Sequence, residues 1–143
     1  MLFCAFSNSA IYAQTPGGVS AVNLNVWLKA DVGTGGSSDG DNCTGWVDQS
    51  GQSNDYTIQN NPTYELDELN YNPAVYVDAT GPEAMIAPAD NGGDLTDDWT
   101  IFTVAERLGE SGDGNGRLFV GNSGNYLWGY HTTYEGAIYI DGL

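Results

Sequence analysis

Positive charge is nearly missing from this sequence. Lys29, Arg107 and Arg117 stand against 19 Asp and Glu residues, for a formal net charge of -16. Such a field repels phosphate backbones and anionic lipid, so nucleic acid and membrane surfaces are excluded as expected partners. Thiols and imidazoles are equally sparse, with two cysteines, Cys4 and Cys43, and one histidine, His131. No apolar run approaches the ~20 residues that cross a bilayer, and membrane insertion is not expected. Neither a repeat of fixed period nor a low-complexity tract beyond the Gly/Ser loop at Gly33–Gly40 can be found, which argues against solenoids and propellers.

What is present points to β structure. Hydrophobic residues make up 41% of the chain, including nine Tyr, four Trp and four Phe, enough apolar surface for a core. Twenty Gly residues, with many Asn, Asp, Ser and Thr, divide the sequence into short apolar runs bounded by turn formers. That is the pattern of an antiparallel all-β protein. A length of 143 residues suits one domain.

The ends carry their own signals. Residues 1–13, with Leu2-Phe3-Cys4-Ala5-Phe6 and then Ala10-Ile11-Tyr12-Ala13, read as the remnant of a secretory signal peptide cleaved after Ala13. Residues 14–20 read as a linker, and residues 21–143 as the domain. Secretion or display at the cell surface follows. Removing the signal leaves Cys43 as the lone thiol, so no internal disulfide is expected. Asn42-Cys43-Thr44 fits a glycosylation sequon, which matters only in a eukaryotic host. Ile140-Asp141-Gly142-Leu143 reads as a strand entering a turn, and further strands are expected beyond it.

Between the ends, alternation predicts a half-buried strand over Leu24–Asp31, with Leu24, Val26, Leu28 and Ala30 on one face and Asn25, Trp27, Lys29 and Asp31 on the other. A turn-dense segment, Asp48 to Asp55, leads into Tyr56-Thr57-Ile58. A strand follows at Pro73–Asp78. The segment Trp99–Ala105, apolar on both faces, predicts a central strand in which Ile101→Ala or Phe102→Ala costs about 2–5 kcal/mol. Arg117–Gly121, Asn125–His131 and Ala137–Asp141 predict a meander.

Three of these stretches carry a family likeness. Val26-Trp27-Leu28-Lys29-Ala30-Asp31, then Trp46-Val47-Asp48-Gln49-Ser50-Gly51 with Asn54-Asp55, then Asn72-Pro73-Ala74-Val75, resemble the opening half of the laminin-G-like, concanavalin-like domains of large secreted bacterial surface proteins. The resemblance covers residues 17–80 well and Trp99–Gly121 loosely. It implies an antiparallel two-sheet β-sandwich of the jelly-roll type, incomplete at the C-terminus. The fold hosts lectins, adhesion modules, glycanases and structural units, so the function must come from the site.

Catalytic patterns are weak. Glu65-Leu66-Asp67-Glu68 superficially resembles a glucanase carboxylate cluster, but on a regular strand Glu68 faces away from Glu65 and Asp67. Without a bulge the segment reads as a solvated loop. His131 is the sole imidazole and reads as a surface or edge-strand residue, and no Ser sits in a Gly-x-Ser-x-Gly setting. The chain is therefore not read as an enzyme.

Two binding patterns remain. Asp39, Asp41, Asp48 and Asp55 could supply oxygen ligands to calcium from loops on either side of Trp46, although the spacing is not that of an EF-hand. The alternative is that Asp48 and Asp55 brace a turn through backbone hydrogen bonds. In Tyr126-Leu127-Trp128-Gly129-Tyr130-His131, strand alternation puts Tyr126, Trp128 and Tyr130 on one face as an aromatic platform for sugar, or as packing inside the sandwich. The sequence thus leads to a non-catalytic extracellular recognition module whose partner is a glycan or an extracellular protein. A glycoside hydrolase with its catalytic residues elsewhere, or a structural spacer, are the alternatives.

Overall fold

A computed structural model describes residues 15–78, 83–88, 100–108, 117–120, 126–131 and 134–140. The signal segment and Trp99 lie outside them. The described residues are strand-dominated, with two single 3-10 turns at Pro16–Gly18 and Ala21–Asn23 and no α-helix. The chain falls into two compact units, Met1–Asp98 and Trp99–Leu143.

Among its described residues the first unit holds five short strands: β1 (Asp41–Asn42), β2 (Thr57–Gln59), β3 (Thr63–Leu69), β4 (Asn72–Tyr76) and β5 (Ala84–Ile86). They form an antiparallel sheet in the order β1-β3-β4 and a two-stranded ribbon, β2-β5. β4 falls where the Pro73–Asp78 alternation predicts it. The β3–β4 hairpin closes with the two-residue loop Asn70-Tyr71, both at positive φ (52° and 63°), between the paired Leu69 and Asn72. Positive φ at both central residues is the hallmark of the turn whose twist matches paired strands.

β3 is interrupted. Glu65 pairs with Ala74 and Leu69 with Asn72, so β3 runs four residues where β4 runs two, and Asp67 takes φ 56° in between. The acidic segment is therefore a bulged strand and not a loop, although Leu66, Asp67 and Glu68 are all exposed, as expected. A bulge of this kind breaks the two-residue alternation on which the face assignment of Glu68 rested.

Leu24–Asp31 is not a strand. Its only ladder contact is an isolated bridge between Lys29 and Val32, and residues 26–30 are half-buried without alternation. The reason lies in its hydrogen bonds: Trp27 N–H goes to the Asp48 carboxylate (2.8 Å), and Trp27 C=O takes Gln49 N–H (2.8 Å). A backbone satisfied by a side chain and a loop needs no neighbouring strand.

Among the described residues of this unit, Cys43, Tyr64 and Pro62 are buried, with Thr34, Asp48 and Asn54. Backbone hydrogen bonds between loops hold them together. Thr34 C=O accepts Thr44 N–H (2.8 Å), Gly33 C=O accepts Val47 N–H (3.0 Å), and Pro62 C=O accepts Cys43 N–H (2.8 Å). Gly33 and Gly35 sit at φ 83° and 82°, and a Cβ at either would collide with Val47 or Thr44. Only glycine meets both demands at once.

The second unit holds β6 (Arg117–Val120), β7 (Tyr126–His131) and β8 (Tyr134–Ile140), an antiparallel meander with β7 in the middle. This is the expected meander, with β8 beginning three residues earlier than Ala137. His131 ends the middle strand, paired with Tyr134, and not an edge strand. Residues 100–108 form no strand, contrary to expectation, and Phe102 and Val104 are 87% and 82% exposed. Strand propensity alone is a weak force where no partner ladder satisfies the backbone.

The two environments predict opposite outcomes for aromatic truncation. Phe102→Ala should change stability by less than about 0.5 kcal/mol, whereas Tyr64→Ala should cost about 3–5 kcal/mol. Urea denaturation of both variants, read by tryptophan fluorescence, checks the pair. A large loss in Phe102→Ala would return that ring to a core.

Candidate functional site

The Asp48–Asp55 turn is organised around one carboxylate. Asp48 is 7% exposed, and four donors converge on it. Oδ1 accepts Trp27 N–H (2.8 Å) and Ser50 N–H (2.9 Å). Oδ2 accepts the Ser50 hydroxyl (2.5 Å) and Asn54 N–H (3.1 Å). Asp48's own N–H donates to Asp55 Oδ1 (2.9 Å). Two residues beyond Asp48, Ser50 Oγ accepts Gln52 N–H (3.1 Å). Asn54, also buried, donates its amide to Asn25 C=O (2.8 Å) and Asn25 Oδ1 (3.2 Å). The turn thereby grips the segment that precedes Trp27.

Burial acts to raise the pKa of Asp48, but the hydrogen bonds from Ser50, Trp27 and Asn54 outweigh it and hold the carboxyl below its ordinary value. The other predicted ligands serve as local braces too. Asp41 Oδ2 accepts Ser37 N–H (3.0 Å), Ser38 N–H (2.8 Å) and the Ser37 hydroxyl (3.4 Å), and the backbone donors pull its pKa down. Asp39 Oδ1 accepts Leu66 N–H (2.8 Å), tying the loop to the bulge in β3. Among the described residues no three His, Cys, Asp or Glu side chains are grouped so as to hold a metal ion. The structure draws Asp48 and Asp55 together and uses Asp39 and Asp41 in a separate turn.

Sequence reasoning identified Asp48 and Asp55 and set Trp46 and Asn54 in the same motif, but missed the contact of Asn54 to Asn25 across 29 residues. It also missed that the Trp46 indole N–H donates to Lys29 C=O (2.8 Å). The lone lysine lies 5.6 Å from the centre of the Trp27 ring and 3.3 Å from Asp31 Oδ2. On β3, Glu65 Oε1 accepts the Thr63 hydroxyl (2.6 Å). Cys43 is buried, and that burial, with the Glu65 charge, pushes its thiol pKa up. Such a thiol is a poor nucleophile.

Tyr126, Trp128 and Tyr130 lie on the middle strand of the second unit. Tyr126 pairs with Ile140, and Trp128 with Ile138 on one side and Phe119 on the other. The register shifts between Gly129 and His131, and Gly129 takes φ 148°. Simple alternation therefore runs from Tyr126 to Trp128 and is interrupted at Tyr130. Trp128 is half-buried.

No family model, curated protein or solved structure matches this chain.

Removing the Asp48 carboxylate leaves four donors without their acceptor, one buried at Asn54 and three part-buried at Trp27 and Ser50. Asp48→Ala should cost about 3 kcal/mol or more. Because the folded-state pKa is depressed, this stabilisation is complete above the unfolded carboxyl's ordinary value and fades as pH falls through the folded one. Asp48→Asn should therefore flatten the acid limb of a stability–pH curve. An unchanged acid limb would assign the acid sensitivity elsewhere.

Calcium gives a separate test. With the four carboxylates engaged by backbone N–H groups, the melting temperature should be the same in millimolar calcium and in chelator. A rise with calcium that Asp48→Asn or Asp55→Asn removes would give those groups a metal.

Proposed function

We propose that this chain is a non-catalytic extracellular recognition module of a larger secreted or cell-surface protein, built as a laminin-G-like jelly roll, and that it binds carbohydrate through aromatic side chains of β7. The observation that carries this reading is the half-buried state of Trp128 on the middle strand of its sheet. A ring packed wholly inside a sandwich is withdrawn from solvent, whereas a partly exposed residue retains surface that the C–H face of a sugar can meet. A net charge of -16 favours a neutral, hydroxyl-rich ligand over an anionic one.

A second reading, a glycan-degrading enzyme of the same fold, is favoured by one observation. The bulge between Glu65 and Leu69 is the departure from alternation that a carboxylate cluster on β3 requires. Release of reducing sugar from a polysaccharide panel would support the enzyme, and silence in both binding and hydrolysis would leave a spacer domain.

Trp128→Ala separates a platform from a core. As a platform residue, its loss abolishes polysaccharide binding and leaves thermal stability within about 1 kcal/mol. A drop of about 3–5 kcal/mol would make the ring part of the core and overturn the site. Affinity electrophoresis beside calorimetric melting measures both.

A further inference from the structure

The β3–β4 hairpin ends in an unusual residue. Tyr71 occupies the second position of its two-residue loop at φ 63°, where glycine is the favoured residue because any Cβ crowds the backbone. Its side chain is 90% exposed, so no packing within the described fold offsets that crowding. A bulky ring held in a left-handed conformation and given to solvent is a departure from what folding alone favours.

The tip is also fixed. Asn72 donates its side-chain amide to Leu69 C=O (3.3 Å) and Asn70 C=O (3.0 Å), closing the loop from the strand side. At the other end of the bulge, Leu66 N–H is held by Asp39 (2.8 Å). The ring is thus carried on a braced hairpin, with exposed Asn70 and Asn72 beside it and the carboxylates of Asp67 and Glu68 exposed along β3. A hairpin that exposes an aromatic ring together with carboxamides and carboxylates offers the chemistry that takes a neutral sugar: stacking for the C–H face and acceptors for the hydroxyls. The same carboxylates, in a chain of charge -16, repel sulfated or uronic glycans.

We infer that Tyr71 at the β3–β4 tip is a stacking residue for neutral polysaccharide, a contact separate from the β7 aromatics. The inference rests on the carbohydrate-binding reading and adds a second contact to it. Its signature is a split between stability and binding. Tyr71→Gly relieves the backbone and removes the ring, so the melting temperature should hold or rise while affinity falls about tenfold or more. Tyr71→Phe keeps the ring and should keep binding.

The experiment runs the unaltered chain, Tyr71→Gly, Tyr71→Phe and Trp128→Ala against immobilised β-glucan, xylan, mannan and galactan, with melting curves alongside. Binding lost in Tyr71→Gly and retained in Tyr71→Phe supports the inference. Binding unchanged in Tyr71→Gly overturns it and leaves the β7 reading standing. A lower melting temperature in Tyr71→Gly overturns it as well, since the ring would then serve the fold. Silence of the unaltered chain on all four polymers removes the carbohydrate reading, and the hairpin contact with it.

Discussion

The first unit depends on one buried negative charge and the donors that surround it. A carboxylate withdrawn from water is tolerated only where hydrogen bonds replace its hydration, and Asp48 obtains four from Trp27, Ser50 and Asn54. Among the described residues of the unit the buried apolar side chains are Cys43, Tyr64 and Pro62. Polar stitching of loops adds to what they contribute. The Gly33–Gly36 loop lying against Thr44 and Val47, the Asp41 turn and the Asn54–Asn25 contact all belong to the same mode of construction.

This construction explains which features were legible in the sequence. β4 and the β6–β8 meander follow from short apolar runs separated by turn formers, because local pairing in hairpins is what such runs encode. Leu24–Asp31 misled because alternation reports which faces are apolar and says nothing of what satisfies the backbone, here the carboxylate of a residue 21 positions away. Residues 100–108 misled for a related reason: β-branched composition describes compatibility with a sheet, while membership requires a ladder.

The candidate sites were legible to different depths. Asp48 and Asp55 announce themselves through Asx and Ser chemistry at short spacing, so a bracing role could be read directly. The contact of Asn54 to Asn25 could not, since nothing local connects residues 29 positions apart. On β7 the aromatics are plain to see, but the register shift at Gly129 is set by pairing with β8 and leaves no mark beyond a single glycine. The bulge in β3 likewise depends on the hairpin register fixed by Asn70 and Tyr71.

The long reach of the Asp48 hub has a kinetic corollary. The contacts of Asp48 to Trp27 and of Asn54 to Asn25 close stretches of 21 and 29 residues, so chain entropy must be surrendered before these groups meet. The β3–β4 hairpin closes across two residues and can form first. Bonds that assemble after the rate-limiting step act on the unfolding limb, so a hub that closes late would govern how long the native state persists more than how quickly it is reached.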